Sequence, residues 1–392
     1  GGGPNRATAI VVARLVFTIS GQSRAFTALR LIDLVTASHS HLNELATLEF
    51  GLQQLARLED ELAPNGAVPG PLMLALKQAT DIVLVEEGKL SWTSTVGEVL
   101  GPAAAQAGLA PFTPGFAAIR LGEVLSHTSG IPSDTEELYN LYVGTSEYDM
   151  SMAARRLAII ADWGSKNTPK VPAANPFQYA NLGYMTVGAM IETAAGEPWE
   201  SLITRRIFDA LQLKTAGLGP QVTPGRLDAA PGHLVDDDGK VTPMPWGPAA
   251  DVPEVLGPAG TAHMSIADFA TWAAWNAGMA RRGPALIKPE TLAWLHTARV
   301  TMEIANPKPG TPKSGKYASG WGILKMDWTP RPILAHNGSN SKNLATIFID
   351  PEIDLAIVVA TNFPGEKADR AMMAVCKHLY ERYSGAMASG TP

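Results

Sequence analysis

Leu125-Ser126-His127-Thr128-Ser129-Gly130-Ile131-Pro132 reads as a serine-rich turn that caps a helix, with glycine and proline closing it. Ser126, His127 and Ser129 invite a Ser-His catalytic pair, but the capping turn explains the same residues more simply. Downstream, Tyr179-Ala180-Asn181 sets a phenol and an amide two residues apart, on one side of the chain if the segment is extended. The spacing then predicts a helix from Leu182 through Thr193, ended by Gly196, with the next starting near Trp199 after Pro198. Ser265 followed by Asp268 predicts a capping box, and Phe269, Trp272 and Ala273 give its helix an apolar face.

Toward the C-terminus, residues 345–349 and 355–360 are β-branched and apolar, and residues 350–354 between them have hairpin chemistry. Ala368, Met372, Val375 and Leu379 then recur at helical spacing, predicting a final helix that covers the sheet. Between about 220 and 258, the density of Pro, Gly and Asp predicts a long excursion with little regular structure.

The chain has 392 residues, of which 46% are hydrophobic and 17% charged, enough for a large core. Its net charge is −6, with no dense Lys/Arg stripe, which excludes nucleic acid as an expected partner. The single cysteine, Cys376, excludes an internal disulfide framework and a cysteine zinc site. Arg14 interrupts the apolar run of residues 7–19 and no small-x-small cleavage site follows, which argues against a signal peptide. No segment reaches the roughly 18–20 apolar residues that a membrane span needs. His39 and His41 read as a solvated loop, and Asp236-Asp237-Asp238-Gly239 as a hairpin turn rather than a calcium loop. No metal or cofactor is expected, and compartment and oligomeric state stay open.

Six segments carry a family resemblance: VEEGKLSWTSTVGEVL from Val85, LSHTSGIP from Leu125, YANLGY from Tyr179, GTAHMSIADF from Gly260, YASGWG from Tyr317 and HNGSN from His336. In this order the chain resembles the serine β-lactamase-related hydrolases, the group of class C β-lactamases, DD-peptidases and family VIII carboxylesterases. The resemblance runs from about Val83 to Tyr383. It implies a mixed α/β fold: a mostly antiparallel sheet flanked by helices, with a mainly helical lobe against it and the site between. Residues 1–82 then form an N-terminal region, 83–330 the mainly helical lobe with the cleft motifs, and 331–392 the strands and helix that complete the α/β lobe.

The resemblance also implies chemistry. A serine at a helix N-terminus attacks a carbonyl, a lysine one turn later helps to deprotonate it, and a tyrosine shuttles the proton. Tyr179 takes the shuttle position and Asn181 a substrate-binding one. His336-Asn337-Gly338 occupies the place of a Lys-Thr-Gly strand, with Gly338 allowing close approach and the Ser339 amide as an oxyanion donor. Histidine there removes the fixed cation for a β-lactam carboxylate. Trp246 is a candidate wall of an acyl pocket.

The Ser-x-x-Lys tetrad is missing from its expected place near residues 71–74. VFTISGQSRAFTALRLIDLV, from Val16, resembles the nucleophile segment displaced by about fifty residues, with Gly21 on the serine position and Arg24 on the lysine. LQQLARLEDELAPNGAVPG, from Leu52, resembles the helix and turn that ordinarily precede it. Ser20 and Ser23 are the remaining hydroxyls, and Arg24 stabilises charge but is a poor base. Ser339-Asn340-Ser341-Lys342 spells Ser-x-x-Lys but precedes a strand, so its two side chains share no helix face. The expected activity is a serine hydrolase of ester or amide bonds, esterase-like rather than a penicillinase. The alternatives are a β-lactamase or D-amino-acid peptidase, and a catalytically impaired ligand-binding relic. The expected partner is a small-molecule ester, amide or peptide.

Overall fold

The structure is a computed structural model that describes residues 9–15, 67–69, 84–144, 149–226, 228–247, 249–278, 283–304, 307 and 310–389. The strands in chain order are β1 (Ala9–Leu15), β2 (Ala67–Pro69), β3 (Gly217–Leu218), β4 (Gly232–Val235), β5 (Val241–Met244), β6 (Ala262–Ser265), β7 (Val300–Glu303), β8 (Ser314–Tyr317), β9 (Gly322–Leu324), β10 (Ile333–Ser339), β11 (Leu344–Asp350) and β12 (Leu355–Thr361). Seven make the main sheet, in the order β1-β12-β11-β10-β9-β8-β7. Its pairs are antiparallel except β1–β12, which is parallel and sets Ala9 beside Leu355 and Leu15 beside Thr361.

The principal helices are α1 (Val96–Gln106), α2 (Leu121–Leu125), α3 (Glu136–Gly144), α4 (Met152–Lys166), α5 (Asn181–Ala195), α6 (Trp199–Ile203), α7 (Ile266–Ala277), α8 (Pro289–Leu295) and α9 (Glu366–Ser389). The period-2 alternation of β11 and β12 sorts their side chains between two cores. Ala345, Ile347, Ala356, Val358 and Ala360 join Phe269, Trp272 and the helical lobe on one face. Leu344, Phe348, Leu355, Ile357 and Val359 meet Ala368, Met372, Cys376 and Leu379 of α9 on the other. Burial on both faces is why these strands read as continuous apolar runs. The fold is mixed α/β, a mostly antiparallel sheet between helices with a helical lobe on one face.

Helix α5 is the centre of that lobe and is buried from Leu182 to Glu192. It ends where Gly196 adopts φ 72°, and α6 begins after Pro198. Arg156 on α4 is wholly buried and ties three helices together. It bonds Glu192 on α5 at 2.5 Å, Glu200 on α6, and the Val255 carbonyl at 3.0 Å.

Two local expectations change. Ser265 does cap α7, accepting from the Asp268 N–H, but Asp268 does not close the box. Its carboxylate accepts instead from the Thr215 N–H at 2.7 Å and the Thr215 hydroxyl at 2.5 Å. The charged acceptor takes two tertiary donors in preference to one local one. The excursion of residues 220–258 also carries more regular structure than its composition predicts, because β4 and β5 pair on either side of the hairpin turn expected at Asp236-Asp237-Asp238-Gly239, with Gly239 at φ 77°. That hairpin is anchored at the sheet: the His233 N–H donates to Lys342 O at 3.0 Å, and its Nδ1 lies 2.8 Å from Asn362 O. Among the described residues, no helix is long and apolar enough to cross a membrane.

Candidate active site

Helix α2 ends in a Schellman motif that brings the Tyr179 segment into place. The Thr128 N–H reaches Glu123 O at 2.8 Å and the His127 N–H reaches Val124 O at 3.1 Å. The left-handed residue of this motif is usually glycine, but here it is His127, at φ 56° and 1% exposed. Its imidazole repays the strain. The Ala180 N–H donates to His127 Nδ1 at 3.2 Å, which leaves the ring proton on Nε2. The His127 carbonyl accepts from the Gln178 N–H at 2.8 Å. Around the ring stand Tyr179, Tyr184, Tyr317 and Phe177, with centroids 4.3, 4.8, 5.3 and 5.7 Å away. The segment is therefore a bracing turn, and Ser126 is spent on Gly122 O at 2.8 Å. Gly130, at φ 73°, is fixed by space as well, since a Cβ there would lie 2.6 Å from the Lys170 backbone.

Ala180 is extended (φ −142°, ψ 117°) and buried, so Tyr179 and Asn181 on either side of it turn outward. Tyr179 is 37% exposed, the Ser133 hydroxyl donates to its carbonyl at 2.7 Å, and burial and then the Asp134 carboxylate push its phenol well above the ordinary range. Asn181 opens α5, and its Nδ2 donates to Asp134 Oδ2 at 2.6 Å. Asp134 Oδ1 accepts from the Tyr142 hydroxyl at 3.0 Å, so one carboxylate links α3 to the start of α5.

His336, Asn337, Gly338 and Ser339 form the end of β10. β9 pairs with β10 only from Ile333 to Ala335, whereas β11 pairs as far as Ser339. From His336 onward, the edge of β10 away from β11 has no strand partner among the described residues. Half of its backbone N–H and C=O groups are then without a ladder partner there. His336 and Gly338 share the helical-lobe face with Leu334. Burial depresses the His336 imidazole to about 4, so it is neutral at physiological pH. Asn337 and Ser339 alternate to the α9 face, where Asn337 Oδ1 accepts from the Thr346 hydroxyl at 2.5 Å. Their backbone, not their side chains, is what they bring to the open edge.

No ring contact or hydrogen bond joins Tyr179 to His336 among the described residues. The link between their elements is Tyr317, whose phenol burial and the neighbouring Tyr184 and Tyr179 raise far above the ordinary value. Tyr317 stands opposite Gly322, which stands opposite Ala335, the residue before His336. Two strand spacings, about 10 Å, separate Tyr317 from Ala335.

Trp246 follows β5 and is 43% exposed. The loop it opens is tied to the β10–β11 turn, because the Asn340 amide and the Val252 N–H both donate to Asp251 Oδ1, at 3.0 and 2.8 Å. Burial raises Asp251 to about 6 despite these bonds and the charge of Lys342. Ser339-Asn340-Ser341-Lys342 is that turn, with Ser341 at φ 66°, so its serine and lysine share no helix. Ser20, Ser23 and Arg24 lie outside the described residues. Among the described residues, no group of His, Cys, Asp and Glu side chains is placed to hold a metal ion.

Sequence reasoning missed Asp134, Phe177, Tyr317 and Asp251 as parts of this region. Tyr317 lay inside a quoted segment, but nothing in the local spacing of the others connects them to Tyr179 or β10.

The sequence profile of the Beta-lactamase family matches residues 80–379. Penicillin-binding protein 4 of Amycolatopsis lactamdurans is 26% identical over 286 residues, which cover 71% of this chain and 67% of that protein. An octameric penicillin-binding protein homologue from Pyrococcus abyssi superposes with a TM-score of 0.62 at 21% identity, covering 84% of this chain and 67% of that one. A D-stereospecific amidohydrolase from Streptomyces sp. superposes with a TM-score of 0.59 at 18% identity, covering 80% and 87%. The two structural likenesses carry the fold, the profile carries the kinship, and the chain belongs to the Beta-lactamase family, a family of serine hydrolases.

Proposed function

We propose that the chain hydrolyses ester or amide bonds through an acyl-enzyme and is esterase-like rather than a penicillinase. The observation that carries this reading is the open edge of β10 beside a neutral His336. Such an edge offers backbone donors to a polarised carbonyl, and a neutral ring offers no fixed charge to a β-lactam carboxylate.

In this reading Ser20 or Ser23 supplies the hydroxyl, and its oxygen bonds the substrate carbonyl carbon. The hydroxyl proton passes to Tyr179 and from there to the leaving alcohol or amine as that bond breaks. Water then repeats the sequence and frees the acid. Tyr179 needs a nearby cation for the first transfer, because burial and Asp134 both favour its neutral phenol. Arg24 is assigned that task, as a stabiliser of phenolate and not as a base. Asn181, His336 and the backbone of Asn337, Gly338 and Ser339 hold the substrate, and Trp246 lines the acyl side.

The test is turnover of p-nitrophenyl butyrate beside nitrocefin, in the native chain and in Tyr179→Phe. Ester hydrolysis that falls at least about 100-fold in the variant, with little nitrocefin opening, supports the reading. Preferential nitrocefin opening, or ester turnover indifferent to Tyr179, overturns it.

A further inference from the structure

We propose that Asp134 makes this site selective for substrates that carry an ammonium group on the acyl side. The inference rests on the hydrolase reading above and names the substrate class of the same site.

Asn181 has two faces, and Asp134 decides which one a substrate meets. A carboxylate only accepts, so its 2.6 Å contact fixes Asn181 with Nδ2 toward Asp134. The Asn181 Oδ1 is then the atom left to accept from a substrate N–H. The same carboxylate is exposed beside the Tyr179 phenol and strong enough there to raise it. Tyr142 donates to its other oxygen at 3.0 Å, so the charge is held in place without being neutralised. No described lysine or arginine is ion-paired to Asp134, and the Arg24 charge assigned above is matched by the Tyr179 phenolate, which leaves the Asp134 charge over. On β10, His336 adds no cation that would attract a carboxylate. An acceptor backed by a negative charge favours a positive acyl group and disfavours a negative one.

The test uses three achiral p-nitroanilides of similar size: glycyl (ammonium), propionyl (neutral) and malonyl (carboxylate). Turnover is measured by nitroaniline release, and binding to the full chain by titration calorimetry, which needs no turnover. The expected order of affinity is glycyl over propionyl over malonyl, with about tenfold between the first two, as 1.4 kcal/mol supplies. In Asp134→Asn the shape is kept and the charge removed, and the glycyl-to-propionyl ratio of dissociation constants falls toward one. Equal affinities, the reverse order, or a ratio unmoved by Asp134→Asn would overturn the proposal. Ranked binding without turnover of these amides or of p-nitrophenyl butyrate removes the hydrolase reading and keeps the charge selection. Turnover without ranking does the opposite.

Discussion

His127 offers the sharpest structural test, because strain and support meet in one side chain. Glycine is the residue a Schellman motif ordinarily uses, so His127→Gly relieves a left-handed strain of about 1–2 kcal/mol. Greater chain entropy in the unfolded state offsets about 0.5–1 kcal/mol of that gain. Against it stand a buried Ala180 N–H left without its acceptor, about 1–3 kcal/mol, and the loss of packing with four surrounding rings, each worth about 0.5–1.5 kcal/mol. Support outweighs strain even at the least favourable end of these ranges, and the net destabilisation is at least about 1.5 kcal/mol. His127→Ala keeps the strain and loses the ring, so it is expected to fall about 1 kcal/mol below His127→Gly. Urea unfolding followed by tryptophan fluorescence reads both, provided the slope with denaturant is unchanged. A His127→Gly variant within about 0.5 kcal/mol of the native chain, or an alanine variant no worse than the glycine one, refutes the bracing role.

Other sites give independent tests. Arg156→Met strands the buried Glu192 beside Glu200 and is expected to cost about 3–5 kcal/mol in urea unfolding, with Glu192→Gln in the same chain recovering part of it. The ring nitrogens of His296 are buried, its ring packs edge-on to Trp321, and burial alone depresses it to about 3. Its unfolded form binds a proton at higher pH, so stability is expected to fall as pH drops below about 6.5, and His296→Leu to flatten that part of the profile. Asp251 has the opposite sign: its folded value of about 6 lies above the unfolded one, so its contribution is lost as pH rises from about 4 through 6. Comparing unfolding of the native chain and Asp251→Asn at both pH values should show that slope only in the native chain.

The sequence carried the architecture further than the site. The hairpin at residues 350–354 was legible because burial on two faces leaves an unbroken apolar record in β11 and β12, and the final helix because its one buried face repeats at helical spacing. Gly196 and Pro198 marked their boundaries because each residue has a conformational reason to stand there. The turn of the β4–β5 hairpin was legible in Asp236-Asp237-Asp238-Gly239, but its strands were not, because their anchors, Lys342 and Asn362, are more than a hundred residues away. Asp268 was misread because a tertiary partner outcompeted the local one. At the site, the outward turn of Tyr179 and Asn181 follows from an extended Ala180 and could be read from spacing. The Asp134 contact could not, since an acid two residues beyond a proline looks like any other solvated helix start. Asn337 shows the limit of motif reading: it sits in a cleft motif, but strand alternation sends its side chain to the α9 face.

If a serine hydroxyl forms an acyl-enzyme whose making and breaking depend on Tyr179, that hydroxyl can be trapped covalently. The most direct measurement is intact and peptide mass of the full chain after reaction with a fluorophosphonate, in the native protein and in Ser20→Ala, Ser23→Ala and Tyr179→Phe. One adduct per chain is expected, mapped to Ser20 or Ser23, lost in the corresponding alanine variant and slowed in Tyr179→Phe. An unlabelled chain, or an adduct on another residue that forms at the same rate without the Tyr179 phenol, contradicts it.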